Sequence, residues 1–343
     1  APGDGAARAG RLRHVMVAAR MKAGLLLRAL LAWLLLACGA AAQTGPRCIA
    51  PAKPGGGFDL TCQALGRLLH ASGQLAQPLP TVYQPGGIGA LAFKSSVTQR
   101  PGDGGALVAF SSGSLLNLAQ GRFGPYDERS VRWLAGMGMD YGVIAVRQDA
   151  PYRTLPALVE ALRAQPARVV FGAGGSIGSQ DWMKAALLAR AAGVSHKVMR
   201  FVAFEGGGEA FTALIGGHVQ VVPGDAAEVA RLVEQGAPIR ILAVLAAQRL
   251  PGRWARTPTA REQGLDIEWP ILRGVYLGPG VSEQAFRHWA GVLERAMQHP
   301  AAARELEQFG LQPVALTGAA LDAAVRSQMD GYRRMARDFG VMR

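Results

Sequence analysis

Strand-like and helix-like segments alternate along the chain from residue 48 onward, and this alternation restricts the fold more than any other feature. The apolar segment CIAPA comes first, and in the segment after it Leu65, Leu68 and Leu69 recur at helical spacing. Later strand-like segments such as ALVAFSS, VVFGAGG and IRILAVL repeat the pairing, and an amphipathic helix is predicted after Gly318. Strict alternation of this kind predicts an α/β fold with mainly parallel sheets.

Two glycine-rich segments, PAKPGGGFDL and FGAGGSIGSQDW, lie between a predicted strand and the helix that follows it. A helix N-terminus carries unpaired N–H groups and a partial positive charge, and glycine lets the backbone approach an anion closely. Parallel sheets bind ligands at the carboxyl ends of strands, where both segments lie. The sequence therefore predicts that the two segments hold one anionic ligand from opposite sides. The candidate residues are Gly56, Gly57, Phe58 and Asp59 in the first segment and Gly175, Ser176 and Ser179 in the second.

Three further candidates lie at the ends of other predicted strands. Ser111 and Ser112 follow ALVAF, and Asp225 follows VQVVPG. Each admits a structural interpretation, because serine and aspartate are common helix caps. Asp59 is open to the same two interpretations, as a cap or as an acceptor for a ligand amine or hydroxyl. Phe58 is either a core aromatic or a face against which the ligand lies.

The charge of the chain favours an anion-handling protein over a nucleic-acid-binding one. The formal net charge is +13, with 37 Lys and Arg against 24 Asp and Glu. A charge of this size is compatible with nucleic-acid binding, but no basic run with interleaved aromatic residues follows the N-terminal segment. We therefore predict no nucleic-acid partner.

The N-terminal segment has the pattern of an export signal. Met21 begins a charged region, an apolar stretch covers residues 25–37, and small residues follow it. This pattern predicts that residues 1–42 are an N-terminal extension and signal peptide and that the protein is periplasmic. The sequence LLAC ending at Cys38 resembles a lipoprotein box, which leaves a lipid anchor as an alternative.

Two cysteines, Cys48 and Cys62, remain after the signal segment. An even pair in an oxidising compartment predicts a disulfide, which would join the first strand to the first helix around the glycine loop. The alternative is two free, buried thiols.

Five segments, taken together and in this order, resemble the solute receptors of tripartite tricarboxylate transporters, the Bug-type periplasmic binding proteins. They are IAPAKPGGGFD, VYQPGGIGALAF, FGAGGSIGS, FVAFEGGGEAFTALIGGHVQVVPGD and RLPGRWARTPTAREQG. The similarity runs from about residue 48 to the C-terminus. The chain departs from the family at Phe58, where a small hydroxyl residue is common, and at Gln220, where the family has an acid.

The resemblance implies a type II periplasmic-binding-protein (Venus flytrap) fold, with two lobes, two crossing strands and no enzymatic activity or cofactor. The first lobe would comprise residues 43–144 and 272–343, and the second residues 145–271. The implied ligand is a small carboxylate, whether a di- or tricarboxylate, an amino acid or an aromatic acid. The implied partners are membrane transporter subunits, and a sensory role is an alternative. The two glycine segments would face each other across the cleft.

A serine hydrolase is the alternative from another class of protein. Residues 174–178 match G-x-S-x-G between a strand and a helix, so Ser176 could be a nucleophile. Asp225 and either His288 or His299 would complete a triad. A dinucleotide site is not favoured, because Ile177 stands where the last glycine of G-x-G-x-x-G is required. The scattered histidines predict no metal site.

Overall fold

The structure is a computed structural model that describes residues 45–342. The predicted signal peptide and Cys38 lie outside the described residues. The strands are β1 Arg47–Ala50, β2 Thr81–Tyr83, β3 Ala106–Ser111, β4 Arg132–Tyr141, β5 Val143–Arg147, β6 Val170–Gly174, β7 Arg200–Phe204, β8 Val221–Val222, β9 Ile239–Val244, β10 Pro270–Leu277 and β11 Gln312–Leu316. The α-helices are α1 Gly57–Ala71, α2 Ala90–Lys94, α3 Ser112–Ala119, α4 Leu155–Ala164, α5 Gln180–Ala191, α6 Gly207–Ile215, α7 Ala226–Glu234, α8 Glu283–Gln298, α9 Ala302–Gln308 and α10 Gly318–Asp338.

The strands form two sheets, with helices packed on them. The first sheet has six strands in the order β11-β4-β10-β3-β1-β2, and the second has five in the order β7-β6-β8-β5-β9. The predicted α/β fold is therefore confirmed. Neither sheet is mainly parallel as predicted, however. β1 runs parallel to β2 and β3, and β6 to β7 and β8. The other pairings, which involve β4, β5, β10 and β11, are antiparallel.

The antiparallel pairings arise where the chain passes between the sheets. β4 ends in the first sheet at Tyr141, and β5 starts in the second at Val143. The glycine between them is bonded to the return connection, since Gly142 N–H donates to Trp269 O at 2.9 Å and Leu245 N–H donates to Gly142 O at 2.8 Å. The chain therefore leaves and re-enters the first sheet side by side, and β10 then inserts antiparallel between β3 and β4.

The first strand and first helix are joined covalently. Cys48 in β1 and Cys62 in α1 form a disulfide, with 5.5 Å between their Cα atoms. Both residues are fully buried. The predicted bridge between strand and helix is confirmed, and it holds the glycine loop between two fixed ends.

The C-terminal helix α10 also forms as predicted. Its buried side chains recur at three and four residues, the spacing of one helical face. They are Leu321, Val325, Met329, Tyr332 and Ala336. This face packs on α3 and β4, so the C-terminus completes the core of the first sheet. No helix among residues 45–342 is long and apolar enough to cross a membrane.

Candidate functional site

Five helices begin at one cleft, which is lined by residues from both sheets, and in three of them the N-cap is an uncharged residue of the two glycine segments or of the glycines before α6. α1 starts after Gly56, α5 after Ser179 and α6 after Gly206. Each of the three N-cap residues lines the same cleft, whose volume is about 610 Å³ with its opening to solvent included. Because helix N-termini carry unpaired N–H groups and partial positive charge, the cleft is suited to an anionic group.

Two of the glycines at these helix starts leave room for one acidic side chain. A Cβ at Gly57 would lie 2.6 Å from Oε1 of Glu228 and would collide with Nη1 of Arg273. A Cβ at Gly207 would collide with Oε2 of the same Glu228 and lie 2.9 Å from its Cδ. The glycines therefore let the starts of α1 and α6 close on the Glu228 carboxyl group.

Six of the residues predicted from sequence line this cleft. They are Gly56, Gly57, Phe58, Ser111, Ser179 and Asp225. Two of them cap helices as well, since Ser111 Oγ accepts from Gly113 N–H at 3.2 Å and Ser179 Oγ accepts from Trp182 N–H at 3.4 Å. These serines position the helix starts of α3 and α5 at the cleft wall.

Asp59 and Ser112 have their polar groups bonded to other parts of the protein. Asp59 Oδ2 accepts from Gly55 N–H at 2.7 Å, and its Oδ1 accepts from Tyr83 OH at 2.9 Å. Ser112 Oγ donates to Gln328 Oε1 at 2.7 Å and accepts from Leu272 N–H at 2.8 Å. Asp59 thus fixes the first glycine loop, and Ser112 joins α3 to α10 and β10.

Gly175 and Ser176 lie in an adjoining cavity, not in the main cleft. Ser176 is exposed, and its Oγ accepts from Arg122 Nη1 at 3.0 Å. Gln120 Nε2, beside that arginine, donates to Gly178 O at 2.7 Å. The second glycine loop is therefore held against the segment that follows α3.

The surroundings of Ser176 do not form a hydrolase triad. Asp225, the predicted acid, is bonded to Lys184 and Arg273. The His288 ring stacks edge-on with Trp289, and His299 Nδ1 accepts from the backbone N–H of Ala301 at 3.2 Å. The partner of the Ser176 hydroxyl is an arginine, which cannot act as a base at neutral pH.

A network of buried charges forms the floor of the cleft. Arg273 Nη2 lies 2.7 Å from Oδ2 of Asp140 and 2.7 Å from Oδ2 of Asp225. Lys184 Nζ lies 2.7 Å from Oδ1 of Asp225 and 2.9 Å from Oδ1 of Asp181. Asp225 therefore joins the two cations and connects strand β10 to helix α5.

The charges of the network shift the pKa values of its acids in opposite directions. Burial acts to raise the pKa of Asp225, but Lys184 and Arg273 outweigh it and lower that pKa. For Glu228, burial is the largest influence and the charge of Asp225 the next, and together they raise its pKa to about 8. Asp225 is therefore a stable anion, whereas Glu228 is largely protonated at neutral pH.

The sequence predictions missed Arg273, Lys184, Asp181 and Glu228. One signal was present, because Arg273 interrupts the apolar strand segment ILRGVYL, and a buried arginine requires partners. Asp181 and Lys184 are three residues apart on a helix, a spacing that is equally common on exposed faces. Across residues 45–342, no group of three or more His, Cys, Asp or Glu side chains is arranged to hold a metal ion.

Comparisons with known proteins agree with this geometry. Residues 68–340 match the family model described as the tripartite tricarboxylate transporter family receptor. A protein of Cupriavidus necator, named the UPF0065 protein in the gbd 5′ region, is 26% identical over 263 residues, which cover 76% of each chain.

Two solved structures share the fold. The periplasmic binding protein BugD is 18% identical with a TM-score of 0.77, over 87% of this chain and 98% of its own. MatC from Rhodopseudomonas palustris, solved with bound malate, is 20% identical with a TM-score of 0.72, over 85% of this chain and 98% of its own. The predicted periplasmic-binding-protein fold is thereby confirmed.

Proposed function

We propose that this chain, which belongs to the tripartite tricarboxylate transporter receptor family, is an extracytoplasmic receptor that binds a small carboxylate in the cleft between its two sheets. The observation that carries the proposal is the convergence of the starts of α1, α5 and α6 on that cleft. Backbone N–H groups at helix starts are donors of fixed direction, and they match the acceptors of a carboxylate.

Closure of two lobes around the ligand is part of the proposal. The proposed lobes are residues 43–144 with 272–343, and residues 145–271. Gly56 lies in one and Gly206 in the other, so a carboxylate held by both helix starts would contact both lobes. A ligand stabilises the closed form only through the contacts that it gains there. A membrane transporter subunit, or a sensor, would then recognise the closed form.

Family membership and structural similarity support a periplasmic location. We propose that residues 1–42 export the chain and that the protein binds its ligand without chemical change. MatC, whose structure holds malate, has the same fold, and it supports the choice of small carboxylates as the first compounds to test.

A thermal-shift screen tests this function. Succinate, citrate, glutamate, nicotinate, benzoate and phthalate are added to the purified protein, and the melting temperature is recorded. A ligand that binds only the folded protein raises that temperature as its concentration rises. We expect a concentration-dependent rise with at least one of these acids and recovery of the acid unchanged. A screen in which no acid raises the melting temperature would contradict the proposal.

A variant of the cleft makes the screen specific to the site. Nothing lies within 4 Å of a Cβ built at Gly56, so Gly56→Phe places a ring in the cleft without a backbone collision. We expect this variant to keep the melting temperature of the free protein and to lose the ligand-induced rise. Gly331→Phe is the matched control, because a Cβ at Gly331 in α10 also has nothing within 4 Å and Gly331 does not line the cleft.

A further inference from the structure

Glu228 differs from the other acids around the cleft, because none of the residues from 45 to 342 bonds to its carboxyl group. The residue lies in α7, lines the cleft and is only 8% exposed. Among the residues that the structure describes, no hydrogen bond or ion pair reaches this carboxyl, and only charges at a distance act on it. Glu228 lines the cleft, so its carboxyl is open to a ligand group that would pair with it.

The neighbouring cations direct most of their donors to groups other than Glu228. Lys184 uses its donors on Asp181, Asp225 and the carbonyl oxygen of Gly224. Arg273 uses Nε and Nη2 on Asp140 and also bonds Asp225 through Nη2. Nη1 of Arg273 donates to no acceptor in the described part of the chain. It lies against Gly57, as Oε1 of Glu228 does.

The cleft therefore presents one guanidinium nitrogen and one carboxyl group side by side. Both lie within 2.6 Å of the position that a Cβ at Gly57 would take, and among the described residues the two side chains do not form an ion pair with each other. The charges behind them are uneven. Two cations, Lys184 and Arg273, face three aspartates, while Glu228 is protonated. The aspartates are Asp140, Asp181 and Asp225. A ligand that adds only negative charge would increase this imbalance, whereas an ammonium group would reduce it.

We propose that Glu228 and Arg273 select a ligand that carries an ammonium group as well as a carboxylate, as an α-amino acid does. The ammonium pairs with the Glu228 carboxylate. The ligand carboxylate accepts from Arg273 Nη1 and from the N–H groups at the start of α1. This inference rests on the proposed receptor function and narrows its ligand class.

The protonation of Glu228 makes the proposal measurable. Burial and the charge of Asp225 raise its pKa to about 8, and Arg273 opposes them. The free protein therefore holds a proton on Glu228 at pH 7. An ammonium beside the carboxylate favours its charged form, so binding releases that proton. The charged groups that act on Glu228 are Asp225, Arg273, Asp181 and Asp140.

Matched pairs of ligands test the proposal on the unaltered protein. Aspartate is compared with succinate, glutamate with glutarate, and alanine with propionate, each pair differing by one amino group. Titration calorimetry at pH 7 measures affinity, and repetition in two buffers of different ionisation enthalpy measures proton release. We expect at least one amino acid to bind ten-fold or more tightly than its partner and to release close to one proton, given a free pKa of about 8.

The variant Glu228→Gln tests the residue itself. It keeps the shape of the side chain but cannot become an anion. We expect it to weaken amino-acid binding at least ten-fold, to abolish the proton release and to leave the affinity for the deaminated acids unchanged or higher. Glu234→Gln is the control on the same helix, because Glu234 pairs with Arg253 and does not line the cleft.

The outcomes separate this inference from the function on which it rests. If deaminated acids bind as tightly as their amino partners, and Glu228→Gln changes neither series, the receptor function stands and the ammonium selectivity is wrong. If no acid of either series binds, the receptor function itself is contradicted, and the selectivity with it.

Discussion

Glu228 has an ordinary carboxyl pKa of 4.5 when unfolded, but in the folded protein burial and the charge of Asp225 raise it to about 8. Between these two values the folded state holds a proton that the unfolded state has lost. The contribution of Glu228 to stability is therefore complete below about pH 4.5 and is lost as the pH rises toward 8. Each pH unit within that window costs up to about 1.4 kcal/mol.

The consequence is a stability difference that depends on pH. Without ligand, we expect Glu228→Gln to unfold at higher denaturant concentration than the wild type at pH 7.5 and at nearly the same concentration at pH 4.5. Urea denaturation across this range measures the difference, and titrating groups that do not interact with Glu228 cancel because they are common to both proteins. A difference that is constant with pH would show that Glu228 keeps an ordinary pKa in the folded protein.

The failure of sequence analysis to identify Glu228 has a physical reason. Glu228 is one of two acids in α7, and the segment AAEVARLVE does not show which of them faces solvent. Its burial arises because the glycine starts of α1 and α6, from distant parts of the chain, close around it. Contacts between distant segments leave no pattern in the local sequence. The glycine segments consist of consecutive residues, and sequence analysis therefore identified them.

Among the elements, the glycine loops and the strand–helix order were predictable because each depends on neighbouring residues. Cys48 and Cys62 also fall into this group, since they flank one loop. The direction of the strands was not predictable in the same way. β10 lies antiparallel between β3 and β4 because the chain returns from the second sheet beside Gly142, and that return depends on the whole fold.

The unit of β1 and α1 gives a prediction for the disulfide. The bond between Cys48 and Cys62 closes a loop with a sequence separation of 14. By loop-closure entropy a bond of this span stabilises the folded protein by about 3 kcal/mol. We expect dithiothreitol to lower the free energy of unfolding by about that amount.

A reductant-insensitive variant is the control for this measurement. The double variant Cys48→Ala, Cys62→Ala should unfold at the same urea concentration with and without dithiothreitol. Its stability should lie close to that of the reduced wild type, since both lack the cross-link. If dithiothreitol reduces the bond, as shown by detectable free thiols, but leaves the free energy of unfolding of the wild type unchanged, the loop-closure argument is wrong.

At the scale of the whole molecule, two sets of charges connect the two sides of the cleft. One is the buried network around Arg273 and Lys184, and the other is an ion pair at the rim. Lys53, in the loop before α1, lies 2.8 Å from Oε1 of Glu209 in α6 and 3.7 Å from Oε2 of Glu205. The hydrogen bond and charge of Glu209 raise the pKa of Lys53, so the pair stays charged throughout the neutral range. The pair connects the glycine loop before α1 to the first turn of α6.

An exposed ion pair of this kind contributes little free energy. That contribution is made only in the closed form, in which the starts of α1 and α6 lie close together. We expect Lys53→Met to weaken ligand binding a few-fold at low ionic strength, and the loss to disappear in about 1 M salt, where exposed charges are screened. Calorimetry with the acid identified in the screen measures both affinities. Arg249→Met is the control, because its partner Glu262 lies outside the cleft.

Charge reversal separates closure from simple attraction of an anion by Lys53. In the double variant Lys53→Glu, Glu209→Lys the pair is restored with its polarity exchanged, so closure should recover in part. Recovery is incomplete because Glu205 then repels residue 53 and the backbone N–H of Glu205 loses its acceptor on Glu209. If the pair acts by holding the closed form, the double variant recovers affinity that each single reversal loses. If Lys53 acts only by attracting the ligand, its reversal weakens binding whatever residue 209 carries, and the two charges recover nothing together.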